Sequence, residues 1–327
     1  MKFCAALVLA FFLASCAHVE LPKNHSTSNT QKINVLIVDG QNNHTVWPKA
    51  TVMMKTYLED SELFSVDVYR TKLVWRGEAE LPYLKLYNTD AHQLVEQPAT
   101  DDSFMPNFAK YDVVISNFGY RAADWPLAAQ SAFEDYMKNG GGFVSVHAAN
   151  NTFVQWHEYQ KMTGLGGWGG RDESDGPYVY FDENGRLIRD YSPGEGGAHG
   201  TKHEFQITKR NDHPILLGMP EVWMHATDEC YGDLRGPAEN MVVIASALCP
   251  KEENGTGKHE PILMVLNYGE GRIFHTTLGH QQESYESVGF ITTFLRGTEW
   301  AATGKVTQPV PSDFPSKSAS SRRVFIQ

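Results

Sequence analysis

The chain has 327 residues, with 28 Lys and Arg against 39 Asp and Glu, which gives a formal net charge of −11. A surface of this sign repels nucleic acid and anionic lipid, so we expect no nucleic-acid partner. Hydrophobic residues make up 41% of the chain, which is enough for one large α/β domain with a well-filled core.

The first residues are typical of an export signal. Lys2 precedes an almost wholly apolar run from Phe3 to Ala14, which is too short to span a membrane. Leu13-Ala-Ser-Cys16 resembles a bacterial lipoprotein box with cleavage before Cys16. We therefore predict a signal peptide over residues 1–15 and a lipid anchor on Cys16, which places the protein in the cell envelope, in the periplasm or at the outer membrane. The alternative is an ordinary secretory signal, with Cys16 as an unmodified thiol.

Strands alternate with helices through the first half of the folded region. A polar tether over residues 16–31 leads into a domain predicted for residues 32–304. Strands are predicted at residues 33–39, 64–69, 113–117 and 143–147, and helices at 48–59 and 126–138. This alternation predicts a doubly wound, mainly parallel sheet, with a long excursion over residues 70–109.

The second half has a looser pattern. Residues 164–202 are rich in glycine and predict a large loop over the rim of the sheet. Further strands are predicted at residues 203–207 and 242–247 and in a hairpin at 262–277, with a last helix at 290–302. Residues 305–327 predict an extended or disordered tail. Cys230 and Cys249 could pair in an oxidising compartment, but we favour a buried free thiol at Cys230.

The most informative segment is Gly140-Gly-Gly-Phe-Val-Ser-Val-His147-Ala-Ala-Asn150. Glycines lead into a short apolar strand that stops at a histidine followed by small residues. Because ligands of open α/β sheets bind beyond the carboxyl ends of the strands, His147 is a site candidate. We expect its side chain in the largest polar cleft. The alternative is a core histidine that bonds to backbone at the end of the strand.

Several segments together resemble the ThuA-like (trehalose-utilisation) domain. They are Asp39-Gly-Gln-Asn-Asn-His44, the segment from Gly140 to Asn150, Asp212-His-Pro-Ile, Asp228-Glu-Cys-Tyr231 and Tyr268-Gly-Glu-Gly-Arg-Ile-Phe-His275-Thr-Thr-Leu-Gly-His280. The resemblance spans about residues 33–304 and implies a flavodoxin-like fold similar to class I glutamine amidotransferases, with long loop insertions. The turn that holds a nucleophilic cysteine in those enzymes holds His147 and Ala148 here. The resemblance therefore implies that the chain is not a glutamine amidotransferase.

If the strands run as predicted, their carboxyl ends gather the candidate site. We predict that His44, His147 and His280 share one cleft with Asp228 or Glu229 at its rim. The predicted catalytic residues are His147, Asp228, Glu229 and His280, and the predicted substrate-binding residues are Asn43, His44, Asn117, Tyr120, Asn150, Trp168 and Arg171. A bound divalent metal is left open, with His199 and His203 as weak candidates, because their spacing suits a metal only on a helix. Asp228-Glu229 could instead be an acidic pair at a helix N-terminus, and His213 and His225 are interpreted as structural.

Two functions remain open. The resemblance implies an exported enzyme of disaccharide or glycoside catabolism that works beside a sugar oxidoreductase, acting on 3-keto-glycosides with a histidine base such as His147. No second carboxylate is evident for ordinary glycoside hydrolysis. The alternative is a sugar-binding lipoprotein that keeps the amidotransferase-like fold without turnover, and both readings imply a carbohydrate ligand.

Overall fold

The computed structural model describes residue 1 and residues 31–326, and the chain from Lys32 onward forms one compact unit. The predicted signal peptide, the lipidation site at Cys16 and the tether lie almost entirely outside the described residues. No helix among the described residues is both long and apolar enough to cross a membrane.

The unit contains fourteen strands and six helices among the described residues. The strands are β1 Ile33–Gln41, β2 Phe64–Trp75, β3 Gln93–Val95, β4 Val113–Ser116, β5 Gly142–Val146, β6 Tyr178–Phe181, β7 Leu187–Asp190, β8 Ala198–His199, β9 His203–Lys209, β10 Val222–Asp228, β11 Tyr231–Gly232, β12 Met241–Leu248, β13 His259–Tyr268 and β14 Gly271–Thr276. The helices are α1 Trp47–Asp60, α2 Leu81–Leu84, α3 Leu127–Lys138, α4 His157–Thr163, α5 Gln282–Glu286 and α6 Val288–Thr303.

Twelve strands form one sheet with a parallel half and an antiparallel half. The order is β10-β9-β12-β13-β14-β5-β4-β1-β2-β3, with the β6-β7 hairpin attached to β13. From β14 to β3 every neighbouring pair is parallel, whereas the pairs from β10 to β14 are antiparallel. The predicted doubly wound α/β sheet is confirmed. It brings the carboxyl ends of β1, β4, β5 and β14 to one edge.

Alternate residues of the central strands face two separate cores. In β1, Val35 and Ile37 belong to the core cluster on one face, and Leu36 and Val38 belong to the cluster on the other. A strand buried on both faces needs an uninterrupted apolar run, and Val35-Leu-Ile-Val38 supplies it. The sheet is therefore covered on both sides, and its edge is where polar side chains can gather.

The second half contains elements that the sequence pattern did not reveal. Val222–Asp228 is strand β10, so Asp228 ends a strand and does not begin a helix. The glycine-rich region predicted as a loop contains the β6-β7 hairpin. His275 is the penultimate residue of β14 and is fully buried.

The predicted free thiol at Cys230 is wrong, because Cys230 and Cys249 form a disulfide with their Cα atoms 5.6 Å apart. The sequence separation of 19 residues gave no local signal of this contact, since Cys249 follows β12 and Cys230 follows β10. Both residues are buried in the same core cluster.

Replacing both cysteines by serine should lower the free energy of unfolding by about 3 kcal/mol, because the crosslink restricts the unfolded chain over this loop length. Urea denaturation of the oxidised protein and of the double variant measures the difference. Equal midpoints and slopes would show that the crosslink contributes nothing.

Residues 305–326 of the C-terminal tail contain no helix or regular strand, and the tail packs on the domain. Val310, Phe314 and Phe325 contact the core cluster that contains Val35 and Ile37. Arg296 of α6 donates to the carbonyl of Gln308, and the amide of Met224 donates to the carbonyl of Ser316. These contacts tie the tail to α6 and β10.

Glu260, near the start of β13, is a fully buried carboxyl group outside the candidate site. The hydroxyls of Tyr178 and Thr256 both donate to its Oε1. Burial raises the pKa of Glu260 from its ordinary value of 4.5 to about 7. The native protein therefore holds a proton here that the unfolded chain releases between these two values.

As the pH rises from about 4.5 to about 7, Glu260 should therefore lower the free energy of unfolding by about 3 kcal/mol. Glu260→Gln should remove most of this decline, because the amide oxygen still accepts both hydroxyls and carries no charge. Denaturation at pH 5 and pH 8 tests this: the same pH slope in wild type and variant would contradict the assignment.

Candidate functional site

His147 lies immediately beyond the carboxyl end of β5, which has parallel neighbours, β14 and β4, on both sides. Its φ is +48°, an uncommon conformation for a residue other than glycine, and it begins the one-turn 3-10 helix His147–Asn151. The neighbouring Ala148 and Ala149 are buried, so the chain turns sharply without bulky side chains. The predicted elbow is thus observed, and strain of this kind is often found at functional positions.

The His147 ring is held by two contacts that settle which nitrogen carries the proton. Nδ1 lies 2.6 Å from the carbonyl oxygen of Thr277 and must donate to it, because a carbonyl only accepts. Nε2 then has the lone pair and accepts from the hydroxyl of Tyr231 at 2.9 Å. Burial lowers the pKa of His147 to about 4, so the ring is neutral at pH 7.

His44 reaches the same place from the loop that follows β1. The side chain of Asn42 shapes this loop, since its oxygen accepts from the amide of His44 and its nitrogen donates to the carbonyl of Asn117. The ring centroid of His44 lies 4.8 Å from that of His147 and 4.5 Å from that of His280. Burial, and next the neighbouring His147, lower the pKa of His44 to about 2.

Asp228 supports the site from behind. It is fully buried, and its carboxylate accepts from the amides of Glu229, Gly279 and His280 and from Nε2 of His225. Burial alone would raise the pKa of Asp228, but the hydrogen bond from His225 and the other contacts hold it well below its usual range. Of the two residues of which one was expected at the rim, Asp228 and Glu229, Asp228 is therefore not the one. It holds the turn that carries His280.

Glu229 is the carboxylate that faces the histidines. Its Oε2 lies 2.9 Å from Nδ1 of His280 and 3.9 Å from Nε2 of His147, and its Oε1 lies 3.6 Å from Nδ1 of His199. Burial opposes ionisation, but the imidazoles of His280 and His147 lower the pKa of Glu229 below its ordinary value. Gly279, with φ of +120°, makes the turn that brings His280 to Glu229.

Four side chains thus form one group, which we call the histidine–glutamate cluster: His44, His147, Glu229 and His280. One ligand atom from each lies within 4.8 Å of the others. Three imidazoles and a carboxylate at this spacing could exchange protons or hold a metal ion.

The cluster does not lie in the largest cleft, so that expectation is wrong. His147 is only 2% exposed, and the space beside it, between the His44 loop and the turn at Gly279, is too narrow to admit a water molecule. Larger grooves lie elsewhere, including one beside the C-terminal tail. The long loops after β5 and β7 cover this edge of the sheet, and the strand pattern did not indicate how closely they pack.

Some predicted substrate-binding residues lie beside the cluster. Nδ2 of Asn43 is 3.3 Å from Nε2 of His44. Trp168 packs edge-on against Tyr231, with ring centroids 5.0 Å apart, and lies 5.9 Å from the ring of His199. Trp168 and His199 therefore form a surface next to Glu229, with Tyr231 buried behind Trp168.

Other predicted residues are used inside the protein. Asn117 donates to the carbonyl of Trp47 and to the hydroxyl of Thr51, which fastens α1 to β4. Arg171 is buried and donates to the carbonyl of Gly167 and to the side chain of Gln160. Asn150 is fully buried, and its amide has no hydrogen-bond partner among the described residues. Tyr120 is half-buried, and no contact in the described part of the chain links it to the cluster.

His199 and His203, the weak metal candidates, belong to strands and not to a helix. Nδ1 of His199 contacts the carbonyl of Gly200 at 3.0 Å, and Nδ1 of His203 contacts that of Thr201 at 2.8 Å. Neither belongs to the four-residue group, although His199 adjoins it. The sequence analysis did not identify Tyr231 as a site residue, although it stands in the Asp228-Glu-Cys-Tyr segment. The backbone carbonyl of Thr277 could not be identified, because a backbone contact does not depend on the type of side chain.

Comparison with known proteins identifies one family for this chain. The ThuA family model, described as trehalose utilisation, matches residues 34–301. The chain belongs to the ThuA family. A solved ThuA-like protein from Parabacteroides merdae is 38% identical, with a TM-score of 0.79 over 90% of this chain and 98% of that one.

A second ThuA-like protein, from Bacteroides uniformis, is 18% identical, with a TM-score of 0.52 over 88% of this chain and 97% of that one. At that identity the likeness shows the fold alone. No curated protein matches the chain. The resemblance inferred from the sequence motifs is confirmed.

Proposed function

We propose that this ThuA-family protein is a carbohydrate-active enzyme of disaccharide or glycoside catabolism and that its reaction takes place at the histidine–glutamate cluster. The observation that carries the proposal is the convergence of His44, His147, His280 and Glu229 at the carboxyl edge of the parallel strands. In an open α/β sheet this edge is where substrates bind. The family description as trehalose utilisation supports a sugar as the ligand.

The proposed substrate is a 3-keto-glycoside. A ketone at C3 acidifies the proton on C2, so a neutral imidazole can remove it. The electrons of the C2–H bond then form a C1–C2 double bond, the C1–oxygen bond breaks, and the departing oxygen gains a proton to leave as an alcohol. A sugar oxidoreductase must supply the ketone, which makes such an enzyme the expected functional partner.

The geometry supports this elimination over ordinary glycoside hydrolysis. Hydrolysis uses two carboxylates that flank the scissile bond. Asp228 is enclosed by four hydrogen bonds and is fully buried, which leaves Glu229 as the one acidic group of the cluster that faces the histidines. Two histidines have the lone pair on Nε2, because Nδ1 of His147 and of His199 each contact a carbonyl.

A sugar ring can bind at the surface formed by Trp168 and His199. Aromatic faces stack on the apolar faces of sugars, and Trp and Tyr retain a polar group for hydroxyls. The His199 side chain is 45% exposed, so this surface is open to solvent where the cluster itself is closed.

The test is to incubate the chain from Lys32 onward with α- and β-linked disaccharides and with their 3-keto forms, and to follow products by mass spectrometry. We expect cleavage of a 3-keto form and none in His147→Ala. The control is His92→Ala, because the hydrogen bonds of His92 within the described part of the chain are all with Thr89 and His92 lies outside the cluster. Cleavage of the parent disaccharides alone, or no cleavage of any sugar, would contradict the proposal.

The second candidate function is a sugar-binding lipoprotein without turnover. The closed cavity beside His147 favours it, since substrate access there needs some opening. A pure binder should retain sugar affinity in His147→Gln, because the amide preserves a polar contact. Calorimetry with the same sugars separates the two functions.

Export and lipid anchoring are part of the proposal. They rest on Leu13-Ala-Ser-Cys16, and the disulfide between Cys230 and Cys249 suits an oxidising compartment. Mature protein from a bacterial host should partition into detergent and carry the mass of acyl chains on Cys16. Cys16→Ser should lose both, and a free thiol at residue 16 in wild-type protein would contradict the anchor.

A further inference from the structure

We propose that His44, His147, Glu229 and His280 bind one divalent first-row transition-metal ion. The inference that an ion binds here rests on the geometry of these four side chains. Its role, which is to polarise the ketone of the sugar, rests on the proposed function.

The spacing of the four side chains fits a single ion. Metal–ligand distances of about 2.0–2.2 Å place neighbouring ligand atoms roughly 3–4 Å apart in a tetrahedral or octahedral site. The ligand atoms here lie within 4.8 Å of one another. The widest separation would therefore have to shrink by about 1 Å for the site to close around an ion.

Two ring nitrogens in the cluster lack a hydrogen-bond partner among the described residues. They are Nδ1 of His44 and Nδ1 of His280, and both are inaccessible to water. Nδ1 of His280 approaches Glu229 to 2.9 Å, but without the angles of a hydrogen bond. Buried polar nitrogens are rarely left unpaired, so these two atoms indicate a missing ligand.

The surrounding contacts are those that hold metal ligands in place. Ligating histidines usually donate their second nitrogen to a carbonyl or carboxylate, and Nδ1 of His147 does so to Thr277. For His44, exchanging the oxygen and nitrogen of the Asn43 amide would let Nε2 donate in the same way, and Oδ1 of Asn43 is otherwise unpaired. Asp228 holds the backbone of His280.

Charge favours a cation at this position. Asp228 and Glu229 lie side by side, and every ion pair that they make among the described residues is with a histidine. No lysine or arginine in the described part of the chain balances them. An imidazole-rich set of donors suits zinc, iron, cobalt or nickel better than magnesium or calcium.

With an ion bound, His147 would be a metal ligand and His199 would accept the substrate proton. Binding the ion through Nε2 of His147 would displace the hydrogen bond from the Tyr231 hydroxyl, and that nitrogen could then not also accept the substrate proton. His199 is the remaining histidine beside Glu229, which it approaches through Nδ1, and its unprotonated Nε2 belongs to an accessible ring. The ketone oxygen would bind the ion, which stabilises the negative charge that develops when C2 loses its proton.

The first experiment measures binding. Protein treated with chelator and dialysed is titrated with Zn²⁺ and Co²⁺, and bound metal is counted by elemental analysis. We expect one ion per chain, a visible Co²⁺ spectrum and a raised melting temperature. Glu229→Gln and His280→Ala should each weaken binding by on the order of 10²-fold. His203→Ala is the matched control and should bind like wild type.

The second experiment separates this inference from the proposed function. Stoichiometric metal that is lost in Glu229→Gln and His280→Ala, with no cleavage of any 3-keto-glycoside, would support the site and overturn the function. Less than a tenth of an ion per chain, with full turnover in chelator, would overturn the site and support the function. Equal metal binding by wild type, Glu229→Gln and His280→Ala would also overturn the metal site.

Discussion

Replacing His147 by alanine should lower the rate of 3-keto-glycoside cleavage by at least ~10²-fold. Its Nε2 faces Glu229 and the other histidines from the centre of the sheet edge. The loss is expected whether Nε2 binds a metal or accepts a proton, since either role needs this lone pair. Steady-state kcat/KM on the keto form that wild type cleaves best measures it.

The variant should remain folded but less stable. Alanine leaves the hydroxyl of Tyr231 and the carbonyl of Thr277 without their partner, which costs about 1–3 kcal/mol. Far-ultraviolet circular dichroism and the melting temperature check the fold. Tyr231→Phe is a useful companion, because it removes the contact to Nε2 and keeps the imidazole. Unchanged turnover in His147→Ala would exclude His147 from the reaction and favour the binding protein.

Metal content separates the two roles of His147. If it is a ligand, His147→Ala should lose metal and activity together, and His199→Ala should keep its metal and lose activity. If Nε2 is itself the base, wild type should work in chelator and His199→Ala should resemble wild type.

The sequence predicted that His44, His147 and His280 lie close together, because each follows a strand of the parallel sheet. His44 follows β1, His147 follows β5 and His280 follows β14, and the carboxyl ends of parallel strands share one edge. Glycine before an apolar run, with small residues after it, was enough to indicate the turn at His147. These features depend on local pattern and topology, which a single sequence contains.

The distinct roles of Asp228 and Glu229 could not be predicted in the same way. Successive residues of an extended chain point in opposite directions, so the roles depend on where β10 ends. The pattern Val222-Trp-Met-His-Ala-Thr-Asp228 gave no clear strand, and its register on β9 is set by tertiary packing. The disulfide and the closure of the cavity depend on loop packing in the same way.

A buried ion pair near the site was also missed. Arg70 of β2 donates from Nε and Nη2 to the two carboxylate oxygens of Asp39, each at 2.7 Å, and both side chains are fully buried. Arg70 also donates to the carbonyl of Leu84, and Asp39 accepts from the hydroxyl of Thr51. The pair joins β1, β2, α1 and α2 just before the loop that carries His44.

Replacing Asp39 by alanine should lower the free energy of unfolding by about 3–5 kcal/mol. The reason is that the guanidinium of Arg70 stays buried and loses its counter-charge. The matched control is Arg186→Ala. Asp182 pairs with Arg186, whose side chain is 73% exposed, and breaking an exposed pair should cost less than about 1 kcal/mol.

Urea denaturation of wild type and both variants at pH 7 measures these costs. Because β1 leads directly into the His44 loop, Asp39→Ala should also weaken metal binding more than Arg186→Ala does, even under conditions where both variants are folded. A cost for Asp39→Ala no larger than that of the control would mean that Arg70 finds water or another partner. The rigidity of the His44 loop would then have to come from Asn42 and Asn117 alone.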